Sequence, residues 1–285
     1  MQPKLKIGIL IQYFLPQHLL SKIAGWIANC RWKWLKNIII NNFITKYNVN
    51  LNIAILESIN DYPNFNSFFT RKLKPELRPI ASEKEQIASP VDGCVSQVGS
   101  INKTNIFQAK NQSYDLKKLL ANNTNLEKYF YDGKFATLYL APKDYHRVHM
   151  PITGTLEETI YVPGDLFSVN KQTAENVSEL FARNERLICI FKTDLGKVAI
   201  ILVGAMLVSG IKTSWNLDLP TKNISHKKYE DNIKINKGEE LGYFHMGSTV
   251  ILLFPKNTNE WLDILKENKI IKMGSCISNT INKSC

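Results

Sequence analysis

The sequence predicts an α+β fold, in which N-terminal amphipathic helices are followed by a largely antiparallel β-sheet core. Within the first 80 residues, apolar side chains recur with helical spacing. From about residue 87 onward, short apolar runs alternate with Gly, Pro, Asn and Asp, which is typical of strands joined by turns. The chain has 285 residues, 44% of them hydrophobic, so it can bury a core without disulfide bonds.

The N-terminus begins with an apolar stretch, residues 7–15, which is interrupted by Gln12 and followed by Pro16. A helix that crosses a bilayer needs about 20 apolar residues, so this stretch is too short to cross. Lys4 and Lys6 precede it, as in a signal peptide. No small-residue cleavage site follows, however, and the next segment is basic and aromatic. We therefore expect neither secretion nor a membrane-spanning helix.

The next segment, residues 17–36, has an apolar stripe at helical spacing. The stripe consists of Leu19, Leu20, Ile23, Trp26, Ile27, Cys30 and Trp34, and the cations beside it are Lys22, Arg31, Lys33 and Lys36. This pattern fits a helix lying in a lipid interface, but it also fits a surface helix packed on the core. Three of the five tryptophans fall in this segment, which favours the membrane. Residues 1–80 are therefore predicted to be a helical, membrane-associating region.

The net charge indicates which kinds of partner the protein binds, and the cysteine content indicates its redox compartment. The formal net charge of +11 implies an anionic partner, either nucleic acid or an anionic membrane surface. The basic residues are scattered and form no recognisable nucleic-acid module, so we expect no nucleic acid. Five cysteines without a Cys-x-x-Cys pair argue against a disulfide framework or a thiolate zinc site, and they favour a reducing compartment.

Residues 81–273 are predicted to form the β-rich core. The clearest strands are 135–140, 155–162, 187–192, 198–208 and 249–254. The run 198–208 is apolar at both parities, which predicts a strand buried on both faces. Short helices are expected at 116–120 and 175–181. The last residues, 274–285, are polar and are predicted to be a flexible tail.

The tripeptide Gly247-Ser248-Thr249 stands just before an apolar strand. A serine hydroxyl becomes a nucleophile when a base removes its proton. The nearest carbonyl belongs to Gly247, so Ser248 could attack its own chain in an N-to-O acyl shift. The alternative is an ordinary Gly-Ser turn that leads into a core strand.

Two further motifs supply an imidazole and a carboxylate. His146 and His149 lie between Pro142 and Pro151, in a segment whose extended character would point the two rings to opposite faces. Separate roles are therefore expected, and a metal site is not, because no third ligand is evident. Asp92 stands in Pro-Val-Asp-Gly, where it could form a turn or orient a histidine. Histidines satisfied by backbone partners are the alternative.

In combination these motifs resemble those of the membrane-associated phosphatidylserine decarboxylases. The matching segments are residues 90–93 (PVDG), 141–151 (APKDYHRVHMP), 161–170 (YVPGDLFSVN), 180–186 (LFARNER), 203–205 (VGA), 237–242 (KGEELG) and 247–249 (GST). They run in the family's order, and the resemblance extends from the N-terminal helices to about Pro255. Met246, where Leu is commoner, and His245, where a cation such as Lys occurs, are slight departures.

The resemblance implies a proenzyme that cuts itself between Gly247 and Ser248. Asp92, His149 and Ser248 match the family's self-cleavage triad, and His146 matches a histidine that handles a proton during decarboxylation. Ser248 would become a covalent pyruvoyl group at the start of a small chain, residues 248–285. This chain would stay bound to the large chain, residues 1–247, as a heterodimer that could itself form dimers.

The implied reaction converts phosphatidylserine to phosphatidylethanolamine and CO₂ through a Schiff base with the pyruvoyl group, without a metal or pyridoxal phosphate. The implied location is peripheral, on the cytoplasmic side of the cell membrane. Two rival functions remain at this point. One is a serine hydrolase that uses Ser248, His149 and Asp92 on an external ester. The other is a non-catalytic basic protein that binds membrane or nucleic acid.

Overall fold

The structure is a computed structural model that describes residues 3–109, 112–206, 210–219, 222–245 and 248–281, with only the backbone of residues 3–8. N-terminal helices precede mostly antiparallel sheets, so the predicted α+β class is confirmed. Met246, Gly247 and residues 207–208 of the predicted strand 198–208 lie outside the described residues. That strand ends at Gly204, so the prediction is too long by at least Ala205 and Met206.

The N-terminal part contains most of the helical residues. The helices are α1 (Pro3–Phe14), α2 (Gln17–Ala28), α3 (Lys33–Tyr47), α4 (Phe65–Phe69), α5 (Leu116–Leu119), α6 (Thr124–Phe130), α7 (Lys171–Ala174) and α8 (Leu180–Arg183). Short 3₁₀ turns lie at Ile59–Asp61 and Pro75–Leu77. None of the helices in the described ranges combines the length and the hydropathy that crossing a bilayer requires.

Two predicted helices differ from those in the structure. The helix expected over 17–36 is split, since α2 ends with Asn29 as its C-cap and α3 begins at Lys33. At the break, the Asn29 side-chain oxygen accepts a hydrogen bond from Asn66 Nδ2 at 2.9 Å. The prediction of a helix at 175–181 is wrong. There Asn170 caps α7, and Glu179, with φ of 54°, interrupts the chain before α8.

The strands are β1 (Gln86–Ala88), β2 (Gly93–Ser100), β3 (Asn105–Ala109), β4 (Gln112–Asp115), β5 (Lys134–Leu140), β6 (Arg147–His149), β7 (Gly154–Val162), β8 (Arg186–Thr193), β9 (Gly196–Gly204), β10 (Ile211–Thr213), β11 (Ser225–Lys228), β12 (Lys234–Ile235), β13 (Glu240–Phe244), β14 (Ser248–Phe254), β15 (Asn259–Trp261), β16 (Ile270–Ile271) and β17 (Cys276–Thr280). All five strands that the sequence predicts correspond to strands of the structure. Their apolar runs are local signals that tertiary contacts do not override.

The central sheet runs in the order β11-β7-β8-β9-β14-β5-β2-β16, and β12 also pairs with β7. Every pairing in it is antiparallel. Smaller sheets have the orders β1-β17-β15 and β10-β13-β6, and β3 and β4 form a hairpin. Strand β14 lies in the interior of the central sheet, between β5 and β9.

Both faces of the central sheet are covered, which explains why β14 is apolar at nearly every position. Val250 and Leu252 face a cluster shared with β1, β17 and the β10-β13-β6 sheet. Ile251 and Leu253 face the opposite cluster, which contains residues of α5, α6 and α8. Side chains alternate between the two sides of a strand, so a strand with two covered faces needs apolar residues at both parities.

The predicted flexible tail is wrong over residues 276–280, which form β17 between β1 and β15. Ile277 is buried in the core, and Ser278 is equally buried. The Ser278 hydroxyl accepts a hydrogen bond from Asn259 Nδ2 at 2.9 Å and donates to the Glu260 carbonyl oxygen at 2.6 Å. A strand of polar residues can therefore be buried here, because the Ser278 hydroxyl both accepts and donates a hydrogen bond. Residues 282–285 lie outside the described ranges.

The N-terminal helices contact the core through a hydrogen bond and an aromatic contact. Gln17 Oε1 accepts a hydrogen bond from the Leu166 amide at 2.6 Å, and the Tyr13 ring packs edge-on against Phe167 at 4.8 Å. An aromatic cluster joins α2, α3 and α4; its buried members are Ala28, Ile40, Val49, Tyr62, Phe65, Phe68 and Phe69. This layer lies beside the segment that carries His146, because Phe69 stacks on the His146 ring.

Candidate active site

Ser248 is the first residue of β14 and is completely buried. It pairs with Leu140 of β5 on one side and with Gly204 of β9 on the other. Two neighbouring strands thus fix its backbone, and the hydroxyl is shielded from bulk water. An external ester has no access to a hydroxyl in this position.

His146 is the residue in contact with Ser248. Its Nε2 lies 3.1 Å from the Ala141 carbonyl oxygen, and its Nδ1 lies 3.3 Å from Ser248 Oγ. A carbonyl oxygen can only accept, so the ring proton is on Nε2, and Nδ1 is free to accept a hydrogen bond from the serine hydroxyl. Burial, and next to it the positive charge of Arg71, lowers the pKa of His146 to about 3. The imidazole is therefore neutral near pH 7.

The loop before His146 holds that ring in place. Asp144 Oδ2 accepts a hydrogen bond from the Ala141 amide at 2.7 Å, and the Asp144 amide donates to the Ala141 carbonyl oxygen at 2.9 Å. The carbonyl oxygen of Ala141 is thus fixed where it accepts the His146 hydrogen bond. On the other side, the Phe69 ring stacks on His146 with 4.0 Å between centroids. Burial raises the pKa of the Asp144 carboxyl.

His149 has different partners, as its place in β6 requires. Its Nδ1 donates to the Gly238 carbonyl oxygen at 2.8 Å, and its Nε2 accepts a hydrogen bond from the Tyr145 hydroxyl at 2.9 Å. Burial lowers the pKa of His149, while the Gly238 hydrogen bond and the charges of Glu240 and Asp92 raise it. Among the described residues, no hydrogen bond joins His149 to Ser248.

Asp92 is anchored by an arginine. Its carboxylate accepts two hydrogen bonds from Arg78, from Nε at 2.8 Å and from Nη2, and one from the Met273 amide at 2.8 Å. Its charge still reaches His149, whose pKa it raises. The structure therefore brings His146 and Ser248 together and sets Asp92 near His149. Over the described residues, it does not join the three predicted triad members in one hydrogen-bonded chain.

Several residues of the site were given no role from the sequence. Phe69 and Arg71 border His146, and Tyr145 binds His149. The segment 64–73 does show aromatic residues beside cations, and this was the available signal. This segment does not itself indicate which loop it packs against, because His146 is more than 70 positions away in sequence.

Within the described ranges, no group of three or more His, Cys, Asp or Glu side chains is arranged to hold a metal ion. His146 and His149 each bind a backbone carbonyl. The chemistry available at Ser248 is therefore that of a buried hydroxyl beside a neutral imidazole.

Comparisons with known proteins relate the chain to one family. A family model described as phosphatidylserine decarboxylase matches residues 65–279, and a second, described as PSD, matches residues 7–48. A phosphatidylserine decarboxylase proenzyme from Saccharophagus degradans is 47% identical over 276 residues, which are 95% of this chain and 96% of that protein. Proenzymes of the same description from Pseudomonas putida strain W619 and Azotobacter vinelandii are also 47% identical, over 96% and 95% of this chain and 98% and 97% of their own lengths.

Proposed function

Since the chain belongs to the phosphatidylserine decarboxylase proenzyme family, we propose that it cleaves itself at Ser248 and then works as a pyruvoyl-dependent enzyme. Its reaction would convert phosphatidylserine to phosphatidylethanolamine and CO₂. The observation that carries this proposal is the buried contact between Ser248 Oγ and the neutral His146 ring. It supports chemistry on the chain itself rather than on an external ester.

Self-cleavage would begin when Ser248 Oγ attacks the carbonyl carbon of residue 247. The peptide C–N bond breaks, the serine nitrogen takes the hydroxyl proton, and an ester remains. Loss of the Cα proton of residue 248 then expels the carboxylate of residue 247. Water converts the remaining enamine to a carbonyl and releases ammonia. The small chain would stay in place, because β14 is paired on both sides with strands of the large chain.

We assign the base for self-cleavage to His149, supported by the charge of Asp92. His146 is nearer to Ser248, but a base with a pKa of about 3 has little driving force to take a serine proton. Burial lowers the pKa of His149 too, but the Gly238 hydrogen bond and the charges of Glu240 and Asp92 oppose that shift, and no carboxylate gives comparable support to His146. The Nε2 of His149 would have to exchange the Tyr145 hydrogen bond for the serine. In the precursor, His146 would orient the Ser248 hydroxyl.

Residue 248 and its surroundings fit the carbonyl group that this sequence of steps creates. The position is closed to solvent, and the Thr249 hydroxyl beside it is buried without a hydrogen-bond partner among the described residues. A pyruvoyl group would bring new carbonyl acceptors next to this donor. When formed, it supplies an electron sink for the pair left by departing CO₂.

His146 would then manage the proton of the decarboxylation step. Its Nδ1 faces the side chain of residue 248, and its Nε2 is held by Ala141. The low pKa that makes this imidazole a poor base makes its protonated form a strong acid, so it is suited to deliver the proton that the substrate Cα takes up after CO₂ departs. The Phe69 ring and the burial of the site exclude water, which destabilises the substrate carboxylate relative to the charge-dispersed transition state.

The N-terminal helices support a peripheral location on an anionic membrane. The buried side of α2 consists of Gln17, Ser21, Gly25 and Ala28. Its apolar stripe points outward instead, with Trp26 76% exposed. A helix packed on a protein core through its apolar stripe would show the reverse. Such a surface fits the interfacial region of a bilayer, where tryptophan and basic side chains are favoured. We propose the cytoplasmic side of the cell membrane.

Large apolar side chains exposed on α1–α3 and the Trp32 turn define what we call the apolar face: Leu10, Ile11, Tyr13, Phe14, Leu19, Ile23, Trp26, Ile27, Trp32, Trp34 and Ile38. Lys22, Arg31 and Lys33 are exposed beside it. Lys36, predicted to flank the stripe, is instead buried and donates to the Ile59 and Tyr62 carbonyl oxygens at 2.7 and 2.6 Å. The remaining cations suit an anionic phospholipid surface.

A denaturing gel with intact-mass spectrometry tests the proposal. The purified protein should give two fragments, 1–247 and 248–285, and the smaller should lack a free amine and carry a carbonyl. Ser248→Ala should remain one chain without decarboxylase activity. Ser278→Ala, which removes another buried serine of the small chain, should still cleave. A single intact chain in an active preparation would contradict the proposal.

A further inference from the structure

Arg71, just after α4, is a buried cation whose hydrogen bonds are incomplete. The residue is 3% exposed. Its side-chain hydrogen bonds to the described residues all come from Nη2, which donates to the Lys143 carbonyl oxygen at 2.8 Å and to the Asp144 carbonyl oxygen at 3.4 Å. Its Nε and Nη1 are buried and bind nothing in the part of the chain that the structure describes. Both nitrogens carry N–H groups that can donate, so the guanidinium can form further hydrogen bonds from Nε and Nη1.

Other arginines near or within the core do not share this deficit. Arg78 pairs with Asp92, and Arg147 pairs with Glu240 at 2.7 Å. Arg186, which is equally buried, donates from all three of its nitrogens to backbone carbonyl oxygens at 2.7–3.1 Å. The negative charges of Asp144 and Asp92 act on Arg71 from a distance, but no carboxylate of the described residues lies within ion-pair distance of it, and a buried charge without a direct partner is unfavourable. Arg71 is thus a site with a strong preference for an anion.

This unpaired cation lies beside the reacting residues. Its two carbonyl partners belong to the loop that runs from Ala141 to His146. Its guanidinium lies 5.5 Å from the centroid of the Phe68 ring, and the neighbouring Phe69 stacks on His146. Phe68 and Phe69 also belong to the aromatic cluster that joins α2, α3 and α4. Arg71 is therefore between the helices of the apolar face and the centre at residue 248.

We propose that Arg71 binds the phosphodiester of the lipid substrate, an inference that rests on the proposed function. The substrate has two anionic groups, its α-carboxylate and its phosphodiester. An arginine paired with the carboxylate would stabilise the ground state and oppose loss of CO₂. The phosphodiester keeps its charge throughout the reaction, so a cation can bind it equally at every stage. A guanidinium is well suited to phosphate oxygens.

The position also agrees with how a lipid would approach. Acyl chains would remain at the apolar face, and the headgroup would extend inward past α4 toward residue 248. The phosphodiester lies between these two ends of the lipid, as Arg71 lies between the two regions of the protein. By binding the phosphodiester, Arg71 would fix how far the serine moiety reaches from the membrane surface toward residue 248. This makes it a determinant of phospholipid recognition rather than of the chemical step.

The test compares two substrates of the self-cleaved enzyme in mixed detergent micelles. One is phosphatidylserine, and the other is a long-chain O-acyl serine, which has the amine and carboxylate but no phosphate. Arg71→Met should raise KM for phosphatidylserine about tenfold or more, the loss expected for a hydrogen bond to a charged group. Because any effect of Arg71 on the pKa of His146 is common to both substrates, the ratio of kcat/KM for phosphatidylserine to kcat/KM for the O-acyl serine should fall by about tenfold. Arg71→Lys should recover part of the affinity for phosphatidylserine.

Arg186→Lys is the matched control, because it alters an equally buried arginine whose partners are all carbonyl oxygens. It should leave the preference for the phospholipid unchanged. Equal losses on both substrates in Arg71→Met would overturn the inference, as would failure of both Arg71 variants to cleave themselves. If the unaltered protein neither cleaves nor releases CO₂, the proposed function fails and takes this inference with it. An active enzyme with unchanged KM in Arg71→Met rejects the inference alone.

Discussion

Strand β14 and helix α2 contain similar apolar residues in opposite surroundings. Every side chain of β14 is buried, and its two faces pack against separate clusters. In α2 the buried residues are polar or small, namely Gln17, Ser21, Gly25 and Ala28, and Leu19, Ile23 and Trp26 face outward. The difference shows that hydrophobicity alone does not tell which side of an element faces the core. In this molecule the buried region holds the chemistry, and the exposed region is suited to a lipid surface.

The largest effect on activity is expected from substitutions of the two histidines in the buried region, His146 and His149. His149→Ala should leave the precursor uncut, because the proposed base for self-cleavage is lost. His146→Ala should still cleave and should then lose decarboxylation by about a hundredfold or more, the usual contribution of a general acid–base group. A gel measures the cleavage, and CO₂ release from phosphatidylserine measures the reaction.

The two histidine variants serve as controls for each other. Both rings are largely buried and each binds a backbone carbonyl oxygen, so a general loss of folding should affect both alike. If His146→Ala stays uncut while His149→Ala cleaves, the roles are exchanged. The 3.3 Å contact with Ser248 would then mark His146 as the base for self-cleavage.

One leucine from each region tests the comparison directly. Leu252 of β14 is fully buried, and Leu19 of α2 is 56% exposed. Leu252→Ala should lower the free energy of unfolding by about 2–5 kcal/mol, because it leaves a cavity in the core. Leu19→Ala should change it by less than about 0.5 kcal/mol. Denaturant unfolding in the uncut Ser248→Ala background measures both, and comparable losses would mean that α2 packs through its apolar stripe.

The sequence anticipated one of these regions better than the other. The strands were predictable because an apolar run such as Val250 to Phe254 identifies itself locally. The break between α2 and α3 was not, since it lies where Asn29 contacts Asn66, a residue far away in sequence. The burial of β17 was missed for a related reason, because Ser278 is polar and its partner Asn259 comes from another strand.

The site shows the same division between local and tertiary information. The motif around His146 pointed to the residues that matter, and its bracketing prolines led to two histidines with separate partners. The incomplete bonding of Arg71 could not be predicted, because an unpaired donor is defined by everything that surrounds it in space. Sequence therefore identified the chemical groups, whereas their contacts required the fold.

A smaller effect is expected from the exposed side. Trp26→Ser should weaken binding to vesicles that contain phosphatidylglycerol by about tenfold, because an interfacial aromatic ring is lost. Ile270→Ser is the matched control, since Ile270 is also 76% exposed but lies on β16, outside the apolar face. Vesicle sedimentation measures binding, and equal losses in the two variants would contradict a specific membrane surface.

The last prediction concerns pH and returns to the buried side. The pKa of His146 falls from 6.5 to about 3 on burial, so the unfolded chain binds a proton between these values that the folded chain does not. Stability should therefore decrease as pH falls below about 6.5, with a slope from this group of up to about 1.4 kcal/mol per pH unit. Burial lowers the pKa of His149 and of His245 too, so all three contribute. In the Ser248→Ala background, His146→Gln should make the slope between pH 4 and 6 shallower. A slope unchanged by His146→Gln would mean that this imidazole is protonated in the folded protein, and it could not then accept the Ser248 hydrogen bond.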